Sequence, residues 1–111
     1  MSDLNQRRYG RVPFFADLEI QDLATGQSCA GRSIDLSRGG IGFSTNRFLT
    51  PGTRLRLTFQ ISDRGRAKTI RLSCLVANAR AESQGAVMGA VFDTVLTPSV
   101  EPLLCGILDR D

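Results

Sequence analysis

The sequence predicts a mainly β fold, a six-stranded antiparallel β-barrel followed by a C-terminal α-helix, and three observations carry that prediction. Apolar and polar residues alternate with period two in successive runs of five to twelve residues. Clusters of Gly, Pro, Asn, Asp and Ser punctuate those runs at regular spacing, as in a closed or nearly closed barrel. Only the final stretch changes period, to the spacing of one helix face.

Residues 12–21 read as the first strand, with Phe14, Ala16, Leu18 and Ile20 on one face and Phe15, Asp17, Glu19 and Gln21 on the other. Thr25-Gly26 breaks the pattern, and residues 29–36 return as a second strand that delivers Asp35 near its end. The turn Arg38-Gly39-Gly40 feeds a short third strand over residues 41–45. The cleanest alternation follows the Pro51-Gly52 turn, over residues 54–61: Leu55, Leu57, Phe59 and Ile61 face one way, Arg54, Arg56, Thr58 and Gln60 the other. Residues 62–68 read as a polar, Gly-containing turn. A long strand over residues 69–80 shifts phase between Cys74 and Ala77, which predicts a β-bulge or bend there. Residues 86–92 complete the six.

In residues 97–108, Val100, Leu103, Leu104, Ile107 and Leu108 fall at i, i+3, i+4, i+7 and i+8. Pro98 and Pro102 sit in the expected first turn, where a missing N–H is tolerated. This stripe is expected to pack on the barrel as a lid; left exposed, it would recruit a second copy or a partner.

A chain of 111 residues is one domain by size. Hydrophobic content of 41% with 23% charged residues fits a soluble globular protein, and no run approaches the ~18 apolar residues of a membrane span. The start, Met1 to Gln6, has no basic flank before an apolar stretch, so a secretory signal is not expected and the cytoplasm is the expected location. Cys29, Cys74 and Cys105 form no Cys-x-x-Cys pair and the chain has no histidine. That argues against a zinc site, a Ser-His-Asp or Cys-His hydrolase, and a Gly-x-Ser-x-Gly esterase built on Ser37. The expectation is a non-enzyme with no cofactor and no metal. Lys68 is the only lysine among 14 basic residues. Arginine's planar fork suits phosphate and the guanine edge better than an ammonium does.

Two motifs carry the functional reading. Arg7-Arg8-Tyr9-Gly10-Arg11 places two guanidinium groups four residues apart before a strand, and Asp35-Leu36-Ser37-Arg38-Gly39-Gly40 places a carboxylate, a hydroxyl and two glycines at a strand-joining turn. Arg-x-x-x-Arg alone is weak in so arginine-rich a chain; Asp-x-Ser-x-x-Gly is more specific. Arg7 and Arg11 can present bidentate donors to the O6/N7 edge of guanine. Asp35 can accept from guanine's Watson–Crick donors. The Ser37 hydroxyl and the N–H groups around Gly39 and Gly40 can cup a phosphate, because glycine permits the positive φ angles that make an anion-binding nest. Duller roles stand beside these. Asp35 and Ser37 can form an ordinary Asx or Ser turn. Arg8 is a second phosphate ligand or a solvated neighbour, Tyr9 a base platform or a packing residue, and Arg38 a solvated side chain or a phosphate contact.

With both motifs in order, followed by Pro51-Gly52 and by Met88-Gly89-Ala90-Val91-Phe92, most of the chain resembles the PilZ family of bacterial cyclic di-GMP receptor domains. The resemblance implies a six-stranded barrel with an added helix. It also implies cyclic di-GMP as ligand, with the division of labour given above falling on Arg7, Arg8, Arg11, Asp35, Ser37, Gly39 and Gly40. The chain then divides into a flexible arginine segment (residues 1–11) that ligand orders, the barrel (12–92) and the helix (97–108). No additional domain is expected, so an effector protein would act on the signal. Two alternatives remain. One is a PilZ-like interaction module that binds no nucleotide. The other is a barrel binding single-stranded nucleic acid through Arg54, Arg56, Arg64, Arg66, Lys68 and Arg71, whose strands interleave no Tyr or Trp with those charges.

Overall fold

The alternating runs pair antiparallel and close on themselves. The computed structural model describes residues 10–109. Arg7, Arg8 and Tyr9, and with them most of the segment expected to be flexible, lie outside the described residues. In chain order the elements are β1 (Val12–Pro13), β2 (Asp17–Asp22), β3 (Ser28–Leu36), β4 (Gly40–Thr45), β5 (Arg54–Asp63), β6 (Arg66–Glu82), β7 (Gly85–Phe92) and α1 (Pro102–Asp109). Six strands run in the order β3-β2-β5-β6-β7-β4, and β4 pairs back onto β3 to shut the barrel. The two-residue β1 lies on the end of β3. No helix among the described residues is long and apolar enough to cross a membrane.

The faces follow the alternation. Leu55, Leu57 and Phe59 of β5 are buried while Arg54, Arg56 and Gln60 are exposed. Phe14 meets Phe59 edge-on, with ring centroids 5.7 Å apart. The residues expected to form a polar turn at 62–68 mostly extend the β5–β6 ribbon instead. Only Arg64 and Gly65 turn, at φ 55° and 79°. Positive φ at both central residues is the two-residue hairpin geometry whose twist matches the flanking strands.

The single strand expected over residues 12–21 is divided at 14–16. Pairing to β3 slips by one residue between Val12↔Leu36 and Asp17↔Arg32, because the first strand carries an extra residue there: Phe14 bonds to Ile34 and Ala16 to Ser33, leaving Phe15 unpaired with β3. Ser33, only 1% exposed, closes the gap. Its hydroxyl donates to the Phe14 carbonyl at 2.7 Å and accepts from the Ala16 N–H at 2.8 Å.

The C-terminal helix is shorter than its apolar period. Pro102 has no N–H and excludes the carbonyl one turn earlier, so the turn over residues 98–100 stays separate and α1 begins at Pro102. Leu104 is fully buried, and Leu103, Ile107 and Leu108 pack against the core. The packed lid is thus observed, with one exchange: Val100 is 49% exposed, and Cys105 at 1% takes its place inward.

Cys74 and Cys105 are buried and Cys29 is partly so. Burial, with the Asp93 carboxylate in support, pushes the Cys74 thiol from 9.0 up to about 12. An acid whose folded pKa is raised holds its proton in the native state after the unfolded chain has lost it. Its contribution is complete below pH 9 and is lost as pH rises toward 12. Unfolding free energy should therefore fall by up to about 1.4 kcal/mol per pH unit in that window. Cys74→Ala, compared by denaturant melts at pH 8 and pH 10.5, should lack this slope; equal slopes would contradict the assignment.

Candidate functional site

Arg11 stands directly before β1, and the pairing Pro13↔Asp35 brings it beside the end of β3. Its Nη1 donates to Asp35 Oδ1 at 3.0 Å, with side-chain exposures of 26% and 33%. The same Oδ1 accepts the Gly42 N–H of β4 at 3.0 Å. Both bonds fall on one oxygen, so the carboxylate is fixed in orientation while Oδ2 has no partner among the described residues. Arg11 Nε is buried and likewise has no hydrogen-bond partner there. A native structure rarely tolerates such an atom without a ligand or water to meet it. Arg11 and Asp35 are therefore brought together as a half-exposed donor–acceptor pair. Arg7 and Arg8 lie outside the described residues.

Asp35 reaches this place through a bulge. β3–β4 pairing passes from Ser33↔Phe43 to Asp35↔Gly42, leaving Ile34 as the extra residue. The slip turns Asp35 over Gly42, where an added Cβ would lie 2.6 Å from Oδ1. Only glycine leaves room for the carboxylate on the strand.

Ser37 is buried at 4%, and its hydroxyl faces its own turn. The oxygen accepts from the Gly39 N–H at 3.3 Å and the Gly40 N–H at 3.1 Å, and lies 3.4 Å from the Gly40 carbonyl. That is a Ser-capped turn in which the hydroxyl occupies both N–H groups. The expected nest is corrected here, since neither Gly39 nor Gly40 has positive φ. Gly40 is required for another reason. A Cβ on it would sit 2.3 Å from the Ala90 carbonyl oxygen of β7.

Arg38, read as a solvated side chain or a phosphate contact, is half-buried and faces the C-terminal segment. Its Nη1 donates to Cys105 Sγ at 3.1 Å and the Leu96 carbonyl at 3.5 Å, and its own carbonyl accepts the Leu96 N–H at 2.8 Å. The turn carrying Ser37 is thereby tied to α1. No sequence signal identified this link, because residues 38 and 105 meet only through the closed barrel.

The basic set on β5 and β6 is separate from this site. Arg54 is paired with Asp93, and Phe59, the one aromatic residue of those two strands, is in the core. No stacking platform accompanies those charges. Among the described residues no group of His, Cys, Asp or Glu could hold a metal ion.

The sequence model of the PilZ domain family matches residues 5–107. No curated protein matches significantly. Among solved structures, the inhibitor of motility MotI/DgrA of Bacillus subtilis is similar with a TM-score of 0.73 and 21% identity, over 94% of this chain and 50% of that one. The PilZ domain of Escherichia coli YcgR with c-di-GMP aligns at 0.71 and 19% identity, over 95% of this chain and 90% of that one. YcgR from Escherichia coli in complex with c-di-GMP aligns at 0.72 and 21%, over 95% and 45%. The chain thus spans about half the length of the first and third of these proteins.

Proposed function

We propose that this chain, which belongs to the PilZ domain family, is a receptor that binds cyclic di-GMP and passes its state to an effector protein. PilZ domains are non-catalytic receptor domains for this second messenger. The observation that carries the proposal is the Asp35 carboxylate. One of its oxygens is held by Arg11 and the Gly42 N–H, while the other has no partner among the described residues. An acceptor-only group fixed in this way suits the N–H donors of guanine's Watson–Crick edge, which adenine does not offer in that pattern. Arg11 beside it supplies donors for the O6/N7 edge and the phosphate diesters, the role that the same motif gives to Arg7 and Arg8. Ser37, Gly39 and Gly40 set the shape of the turn on which the ligand rests. Arg38 offers a route by which displacement of that turn reaches α1.

Titration calorimetry of the full chain with cyclic di-GMP tests this reading. Arg7→Ala and Arg11→Ala should each weaken binding by about 1–3 kcal/mol, the range for a bidentate arginine–guanine contact. Added salt should weaken it further, because two ligand charges are met by arginine. Parental affinity in both variants would place the site elsewhere.

A further inference from the structure

The barrel has a second bulge, and it mirrors the first. On β6, pairing with β7 passes from Val76↔Ala90 to Asn78↔Gly89, leaving Ala77 as the extra residue. Gly89 in turn pairs with Gly42, which pairs with Asp35. One continuous row therefore crosses four strands: Asp35, Gly42, Gly89, Asn78. At each end a bulge delivers a polar side chain and lays it over the neighbouring glycine. A Cβ on Gly42 would lie 2.6 Å from Asp35 Oδ1; one on Gly89 would lie 2.9 Å from Asn78 Oδ1 and 3.2 Å from Nδ2. Bulges recur beside binding sites because they re-aim a side chain in this way.

Asn78 is exposed, and its amide makes no hydrogen bond among the described residues. Beside Gly89 in the next row lie Val91 and Leu75, paired with one another and 39% and 38% exposed. The face between Asp35 and Asn78 is thus floored by two residues without side chains and flanked by apolar ones, a shape suited to flat rings.

We propose that Asn78 is a ligand-contacting residue of the Asp35 site. Its amide meets the edge of the second guanine while the dinucleotide lies across Gly42 and Gly89. This inference rests on the receptor reading above. Asp35 and Asn78 are three strand spacings apart, about 14 Å. That separation suits a ligand whose two bases stand at opposite ends of a macrocycle. An amide offers both donors and an acceptor, and guanine's edge presents O6 beside N1–H.

Calorimetry with cyclic di-GMP on the parent chain, Arg11→Ala, Asn78→Ala and Gly89→Val separates the two claims. Asn78→Ala should keep the parental melting midpoint and lose about three- to ten-fold in affinity, the worth of one or two neutral hydrogen bonds. Gly89→Val, which fills the floor and displaces the amide, should lose more than about ten-fold. Loss of binding in Arg11→Ala with parental affinity in both Asn78→Ala and Gly89→Val overturns this inference alone. Absence of binding by the parent overturns the receptor reading and this inference together.

Discussion

Leu104→Asp should destabilise the protein by about 4 kcal/mol or more, enough to unfold much of the population at moderate temperature. Leu104 is fully buried between α1 and the barrel. The substitution removes the transfer energy of a Leu side chain, leaves space that neighbours fill only partly, and buries a carboxyl group. Val100→Asp is the matched control. It lies on the same sequence stripe but is 49% exposed, and surface changes of this kind fall within about 0.5 kcal/mol. Thermal melts of the two variants measure the contrast. Equal and small effects, with a change in oligomeric mass for Leu104→Asp, would mean that the stripe is an interface and not a lid.

The second large effect is on binding. Asp35→Ala should lower affinity for cyclic di-GMP by about 3 kcal/mol, near a hundredfold, since hydrogen bonds to a charged group are worth about 1.5–3 kcal/mol. It also releases Arg11 from its described partner, so the guanidinium is no longer held for the ligand. Asp35→Asn should fall between parent and Ala, because the amide keeps one acceptor but turns N–H toward guanine's own donors. The same change should narrow discrimination between cyclic di-GMP and cyclic di-AMP. A site built around a fixed polar group rejects a mismatched edge chiefly through groups left unpaired. Calorimetry with both dinucleotides measures this. A parental preference for guanine in Asp35→Asn would show that another group reads the base.

Local information accounts for what the sequence revealed. Period two assigned Leu55, Leu57 and Phe59 inward, and the phase shift after Cys74 located the β6 bulge, which falls between Val76 and Asn78. What it concealed depends on pairing partners. The break in the first strand is a bulge at Phe15, defined only by the partners of its neighbours: the Ile34 carbonyl accepts the Phe14 N–H at 3.0 Å and the Ala16 carbonyl accepts the Ser33 N–H at 2.9 Å. The helix period ran on through Pro102, where covalent geometry ends it. In the candidate site, residue type and order identified Asp35 and Arg11 as chemistry, and the structure places them 3.0 Å apart. Glycine spacing suggested a nest that the backbone does not form, because Gly40 is present for its close approach to Ala90. Asn78 carried no signal at all. Its relation to Asp35 exists only through three successive strand registers.

The most direct test of the account is a titration of the isotopically labelled full chain with cyclic di-GMP, followed by amide NMR. Saturable shifts should concentrate at Arg11, at the Gly42 N–H that shares Asp35 Oδ1, and at Gly89, with smaller changes at Leu96 and Cys105 through Arg38. No saturable shift, or shifts confined to the Arg54–Arg71 face of β5 and β6, would contradict it.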